Sequence, residues 1–138
     1  MRVILATISF LTLVAGCLVT LPVTAQEKEY KTTAPRTVLL KGELAAFKGK
    51  EVNVISLDLP PGWVGGRHYH TGDVFVYVQE GSFAVDIDGE GRKTFHAGQV
   101  YQALKKVMHA RNPSSTKPAK IILFQVGDKG EPLMIKAK

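Results

Sequence analysis

The sequence contains a single cysteine, Cys17, so no disulfide can form within the chain. Stability must come from burial and from any bound metal, although small exported domains often lean on disulfides. Helical patterning is missing too: after residue 25 no stretch keeps an apolar period near 3.6 long enough to build a helix. No internal repeat is present. There is also no dense basic cluster, because 18 Lys and Arg against 12 Asp and Glu give a net charge of +6 spread along the chain. That pattern describes a solvated surface and argues against nucleic acid as a partner. At 138 residues the chain has room for one domain with a modest core.

The one long apolar run stands at the start. MRVILATISFLTLVAGCLVTLPVTAQ carries Arg2, an apolar stretch from Val3 and then Pro22, the layout of a secretory signal peptide. Val23-Thr24-Ala25 places small residues before the polar Gln26-Glu27-Lys28-Glu29, so cleavage is expected after Ala25 and removes one positive charge, Arg2. An alternative is lipidation at Cys17, since Val14-Ala15-Gly16-Cys17 resembles a lipobox. Against it, Leu18-Val19-Thr20-Leu21 is apolar where a lipoprotein usually has a polar tether. A third reading, an uncleaved anchor, is disfavoured by the short run and the good cleavage site. All three put the domain outside the cytoplasm, periplasmic or secreted, with the membrane a partner only if Cys17 is lipidated. No twin arginine precedes the run, so the chain is expected to cross unfolded and acquire metal afterwards.

Residues 26–36 are polar and aperiodic and are expected to form a flexible N-terminal arm, with the domain over 37–138. From there, short apolar runs at 37–40, 51–59, 73–79, 82–88, 93–96, 99–104 and 120–126 alternate with turn signals such as Pro60-Pro61-Gly62 and Glu80-Gly81. These runs predict β-strands. Residues 82–88 alternate cleanly, with Phe83, Val85 and Ile87 on one face and Ala84, Asp86 and Asp88 on the other. The class is all-β, a sandwich or small barrel.

His68 and His70 stand one residue apart after Gly65-Gly66. In a strand, residues i and i+2 share a face, so both imidazoles can point at one metal ion. Here the sequence resembles the cupins, small β-barrels whose first motif is a glycine, five residues and His-x-His, matched by Gly62 and His68-Tyr69-His70. Gly81 takes the motif's later glycine after a cupin-like Val76-Tyr77-Val78-Gln79-Glu80; Gly98, His109 and Asn112 match the second motif. Two departures stand out: Val74 occupies the family's glutamate position beside Asp73, and Leu104-Lys105-Lys106 replaces a Pro-x-Gly turn.

The resemblance implies a small antiparallel β-barrel, a double-sheet jelly roll, holding one divalent transition metal (Fe, Mn, Ni, Cu or Zn) on His68, His70 and His109. Alternation sets Val74, Val76 and Val78 on one face and Asp73, Phe75 and Tyr77 on the other. With Val74 inward the three histidines stand alone, the expected register; a slip at Thr71-Gly72 makes Asp73 the fourth ligand and turns over the rest of the strand. Open coordination positions imply an exported metal-dependent oxidoreductase of dioxygenase type acting on a small organic molecule. The alternatives are a non-catalytic barrel that binds a small ligand or metal, and a cupin isomerase, which would want more acid and base groups. Trp63, Tyr69, Tyr77 and Tyr101 are candidate pocket residues; Arg67 and Arg111 flank the histidines and could meet an anionic substrate, and His96 is expected off the metal. A homodimer is the assembly the resemblance suggests.

Overall fold

The computed structural model describes residues 28–138, so the expected signal segment, Cys17 and the expected cleavage position after Ala25 lie outside the described residues. No described helix is long and apolar enough to cross a membrane. Regular structure in this range consists of strands: β1 (Arg36–Glu43), β2 (Lys50–Leu59), β3 (His68–His70), β4 (Asp73–Glu80), β5 (Ser82–Ile87), β6 (Gly91–His96), β7 (Val100–Ala103), β8 (Met108–Arg111), β9 (Ala119–Asp128) and β10 (Met134–Lys136). They form two five-stranded antiparallel sheets, ordered β1-β2-β9-β4-β7 and β10-β3-β8-β5-β6. This is the all-β double-sheet jelly roll that the sequence implies.

Period-two alternation builds the core between the sheets. Val74, Val76 and Val78 of β4 face Phe83, Val85 and Ile87 of β5, with Leu57, Leu59, Ile121 and Leu123 filling in from β2 and β9. Each such side chain, fully buried, contributes about 1.5–3 kcal/mol. The clean alternation expected for β5 holds on its inner face, but Ala84 on the other side is buried as well. All seven expected strands are present. β8 and β10 were not expected, because MHAR and MIK are too short and mixed for a pattern to rise above composition.

Residues 28–36 depart from the expected free arm. Lys136 N–H donates to the Lys28 carbonyl (2.8 Å), Tyr30 N–H donates to the Met134 carbonyl (2.9 Å), and Ala34 is buried. The outer edge of β10 offers unpaired backbone groups, and this segment satisfies some of them. Polar composition predicted solvent contact, but backbone pairing of this kind leaves no compositional trace.

The link between β3 and β4 is equally constrained. A Cβ at Gly72 would lie 2.2 Å from the Val126 carbonyl oxygen, so only glycine lets this turn pass against β9. β4 is thereby held in the register with Val74 inward.

Candidate functional site

β3 lies between β10 and β8, with Met134 opposite His70 and Met108 opposite His68. Strand alternation turns both histidines into the space between the sheets, where they are 5% and 6% exposed. Their rings meet edge to face at 5.1 Å between centroids. His68 Nδ1 is 2.8 Å from the Gly66 carbonyl oxygen. A carbonyl only accepts, so Nδ1 carries the proton and Nε2 of the neutral ring keeps its lone pair.

The same logic fixes His70. Gln125, buried on β9, donates through Nε2 to the Leu133 carbonyl (2.9 Å) and Thr71 Oγ1 (3.3 Å), which orients its amide. Gln125 Oε1 then faces His70 Nδ1 at 3.2 Å and accepts its proton. Burial holds His70 well below the usual imidazole range, at about 4, with His68 beside it lowering it further; burial also lowers His68. At neutral pH the pair presents two uncharged rings with Nε2 lone pairs.

These rings form part of the wall of a cavity of about 50 Å³. Its remaining lining is mainly apolar and aromatic: Tyr30, Trp63, Phe83, Tyr101, Met108 and Met134 stand out, and among the described residues no Asp, Glu, Lys or Arg lines it. Tyr30 stacks on His68 at 4.7 Å with the planes 10° apart, and its hydroxyl accepts the Gly66 N–H at 2.7 Å. Trp63 Nε1–H donates to Thr33 Oγ1 (3.0 Å). The docked N-terminal segment thus supplies one wall of the cavity.

His109 does not join the pair. β8 alternates, so Met108 faces the cavity while His109 and Arg111 face outward, paired across the sheet with Asp86 and Ala84. His109 Nε2 sits 2.8 Å from both Asp86 Oδ2 and Arg111 Nη2. Asp86 also accepts from Arg92 Nε (2.7 Å) and Arg111 Nε (2.7 Å); the Arg92 hydrogen bond leads in holding its carboxyl down to about 2, with Arg111 adding to it. The expected convergence of three histidines is therefore corrected by the parity of one strand: the position opposite His68 is Met108. The expected register of β4 is the one observed: Val74 is fully buried and Asp73 is exposed on the outer face, so the alternative slip that would turn Asp73 inward does not occur here.

Of the expected pocket residues, Trp63 and Tyr101 line the cavity, whereas Tyr77 is exposed on the outer face of its sheet. Tyr69 alternates with the two histidines and faces away, opposite Ile135. Arg67 pairs with Asp88 and donates to the Lys138 carbonyl (3.0 Å), and exposed His96 Nδ1 lies 3.0 Å from Ser82 Oγ. Asn112 is structural: its amide donates to the Leu59, Pro60 and Lys117 carbonyls at 2.8–3.1 Å, tying two loops together. Tyr30, Met108 and Met134 were missed. No pattern in residues 108–111 marks Met108 rather than His109 as the inward residue; the pairing of Met108 with His68 decides it.

A metal on His68, His70 and His109, with or without Asp73, does not fit these residues. The inner face offers His68 and His70 beside Met108 and Val74, and among the described residues no three His, Cys, Asp or Glu cluster to hold an ion.

The comparisons follow the same lines. The family model described as "Cupin domain" matches residues 56–125, just over half of the chain. A cupin domain from Bordetella pertussis is 25% identical, with a TM-score of 0.52 over 67% of this chain and 92% of that one. An uncharacterized conserved protein with a double-stranded β-helix domain from Klebsiella pneumoniae is 20% identical, with a TM-score of 0.58 over 76% and 85%. The DMSP lyase DddQ from Ruegeria pomeroyi is 16% identical, with a TM-score of 0.51 over 58% of this chain and 40% of that one. At these lower identities the likeness is one of fold. No curated protein matches the sequence.

Proposed function

The chain belongs to the cupin domain family, and we propose that it is an exported binding barrel whose cavity takes one small occupant on the Nε2 lone pairs of His68 and His70. One observation carries this reading: two buried, neutral imidazoles, each fixed at Nδ1 by a carbonyl-type oxygen, form the only basic nitrogens that the described residues bring to a mainly apolar wall. Such anchoring at the far nitrogen orients a ring toward a metal ion or a hydrogen-bond donor. A volume of about 50 Å³ suits an ion, or a ligand of a few heavy atoms. It falls well short of the roughly 300–1,000 Å³ typical of sites for larger organic ligands.

The dioxygenase-type reading needs a third protein ligand and a group to take the substrate's proton; His109 faces outward and no carboxylate among the described residues lines the cavity. An isomerase needs acid and base groups that the same lining lacks. Export rests on residues 1–25, as argued from their sequence.

The test is dialysis of the purified protein against Mn, Fe, Ni, Cu and Zn salts, followed by elemental analysis and thermal unfolding, beside His68→Asn and His70→Asn. Binding of about one equivalent with a raised Tm in the parent, lost in both variants, supports the reading, since an occupant at 100 times its Kd stabilises by about 2.7 kcal/mol. Oxygen uptake by the loaded protein with enolic, phenolic or thiol substrates would overturn it in favour of the oxidoreductase. Binding that survives in both variants would overturn it as well.

A further inference from the structure

The chain has three methionines, and apart from Met1 both of them, Met108 and Met134, line the cavity that holds the two histidines. Their placement is set by strand pairing. Met108 on β8 stands directly opposite His68, and Met134 on β10 directly opposite His70, so four potential donors come from three adjacent strands of one sheet. Directly opposed residues hold their Cβ atoms about 4.5–5.5 Å apart. Met108 is 3% exposed, and Tyr101 Oη–H points at its sulfur from 3.9 Å.

We propose that this cavity is a site for a soft monovalent metal ion, copper(I) in chemical class, held by His68 and His70 through nitrogen and by Met108 and Met134 through sulfur. The inference rests on the binding-barrel reading and names its occupant. Two physical arguments converge on it. Thioether sulfur is a soft, polarisable donor that selects copper(I) over hard cations. All four donors are uncharged and no carboxylate among the described residues lines the cavity, so an ion there keeps its whole charge. The cost of burying an ion rises with the square of its charge, so a monovalent ion pays about a quarter of the desolvation that a divalent ion of the same size would. Sodium and potassium share the charge but seek oxygen ligands, which this wall does not supply as a set.

The experiment titrates the purified protein with silver(I), a redox-inert ion of the same class, and with copper(I) under anaerobic reducing conditions against a chromophoric competitor. Zinc(II) serves as the divalent control. Methionine methyl groups labelled with carbon-13 report sulfur coordination directly. The expected result is one equivalent of silver(I) or copper(I), shifted methyl signals for Met108 and Met134, and an affinity at least about tenfold weaker in Met108→Leu and Met134→Leu. Leucine conserves volume, so the ligand-free Tm of these variants checks that the barrel is intact. If zinc(II) or nickel(II) binds through the histidines while the methyl signals stay still and Met108→Leu binds normally, the soft site is overturned and the binding barrel stands. If no ion or ligand binds in a manner that depends on His68 and His70, both fall.

Discussion

His68 and His109 belong to neighbouring strands of the same sheet, yet they live in opposite worlds. His68 points between the sheets, stacks on Tyr30 and is held by a backbone carbonyl. His109, one residue out of step with the partner of His68, faces outward among Asp86, Arg92 and Arg111. The inner environment removes charge by desolvation; the outer one concentrates it in an ion-pair network around a carboxylate held at about 2. One step of strand parity therefore separates a lone-pair donor in an apolar cavity from a member of a surface network.

The sharpest way to break this contrast is to remove what anchors the inner pair. Gln125→Ala deletes the acceptor for His70 Nδ1, removes a donor to the Leu133 carbonyl and leaves a void in a residue that is 1% exposed. A loss of about 4 kcal/mol is expected in urea unfolding, combining cavity and unpaired buried groups. A loss below about 1 kcal/mol would mean that His70 is not held as described.

Acid tests the same contrast without mutation. Folded His70 titrates at about 4 and the unfolded residue near 6.5, so the unfolded chain takes up the proton first as pH falls. Stability from this group is level above about pH 6.5, declines between there and about pH 4 by about 3 kcal/mol, and is level again below. The carboxylates act later: Asp86, and Glu90, which accepts from Lys106 (2.6 Å) and Lys93 (2.5 Å), are both held at about 2; their contributions are present above their ordinary values of 3.8 and 4.5 and are lost as pH falls toward 2. Urea midpoints measured from pH 7.5 to pH 2 should fall first between about pH 6.5 and pH 4 and then further as the carboxylates protonate toward pH 2, and a flat line down to pH 4 would contradict a buried neutral His70. His109→Ala should cost less, within about 1 kcal/mol and sensitive to salt, while leaving occupancy of the cavity unchanged.

The sequence carried the sheet pattern well because β2, β4, β5 and β9 are six to ten residues long, enough for alternation and β-branched composition to speak. It also placed His68 and His70 together, since a spacing of two guarantees a shared face in any strand. What it could not supply was the parity of β8. The second motif put a histidine near Asn112, but four residues without a strong pattern do not say whether Met108 or His109 turns inward; the pairing of Met108 with His68 does. Tyr30 was illegible for a different reason, because its packing depends on a backbone edge contributed by β10 at the far end of the chain.

Asp73 gives the smallest expected effect and the cleanest check on register. Its neighbour Val74 is fully buried, and Asp73 itself is exposed opposite Val126 on the outer face of its sheet. Reaching the cavity would require a one-residue slip of β4, which would expose Val74, Val76 and Val78 and press Phe75 and Tyr77 into the core. Gly72 opposes that slip, because its contact with the Val126 carbonyl leaves the preceding turn no room to shift. Asp73→Asn should therefore change stability by less than about 0.5 kcal/mol and leave metal stoichiometry and affinity as in the parent. A weaker ion affinity in this variant, with the fold intact, would show that the acid reaches the site and that β4 adopts the slipped register when the cavity is filled.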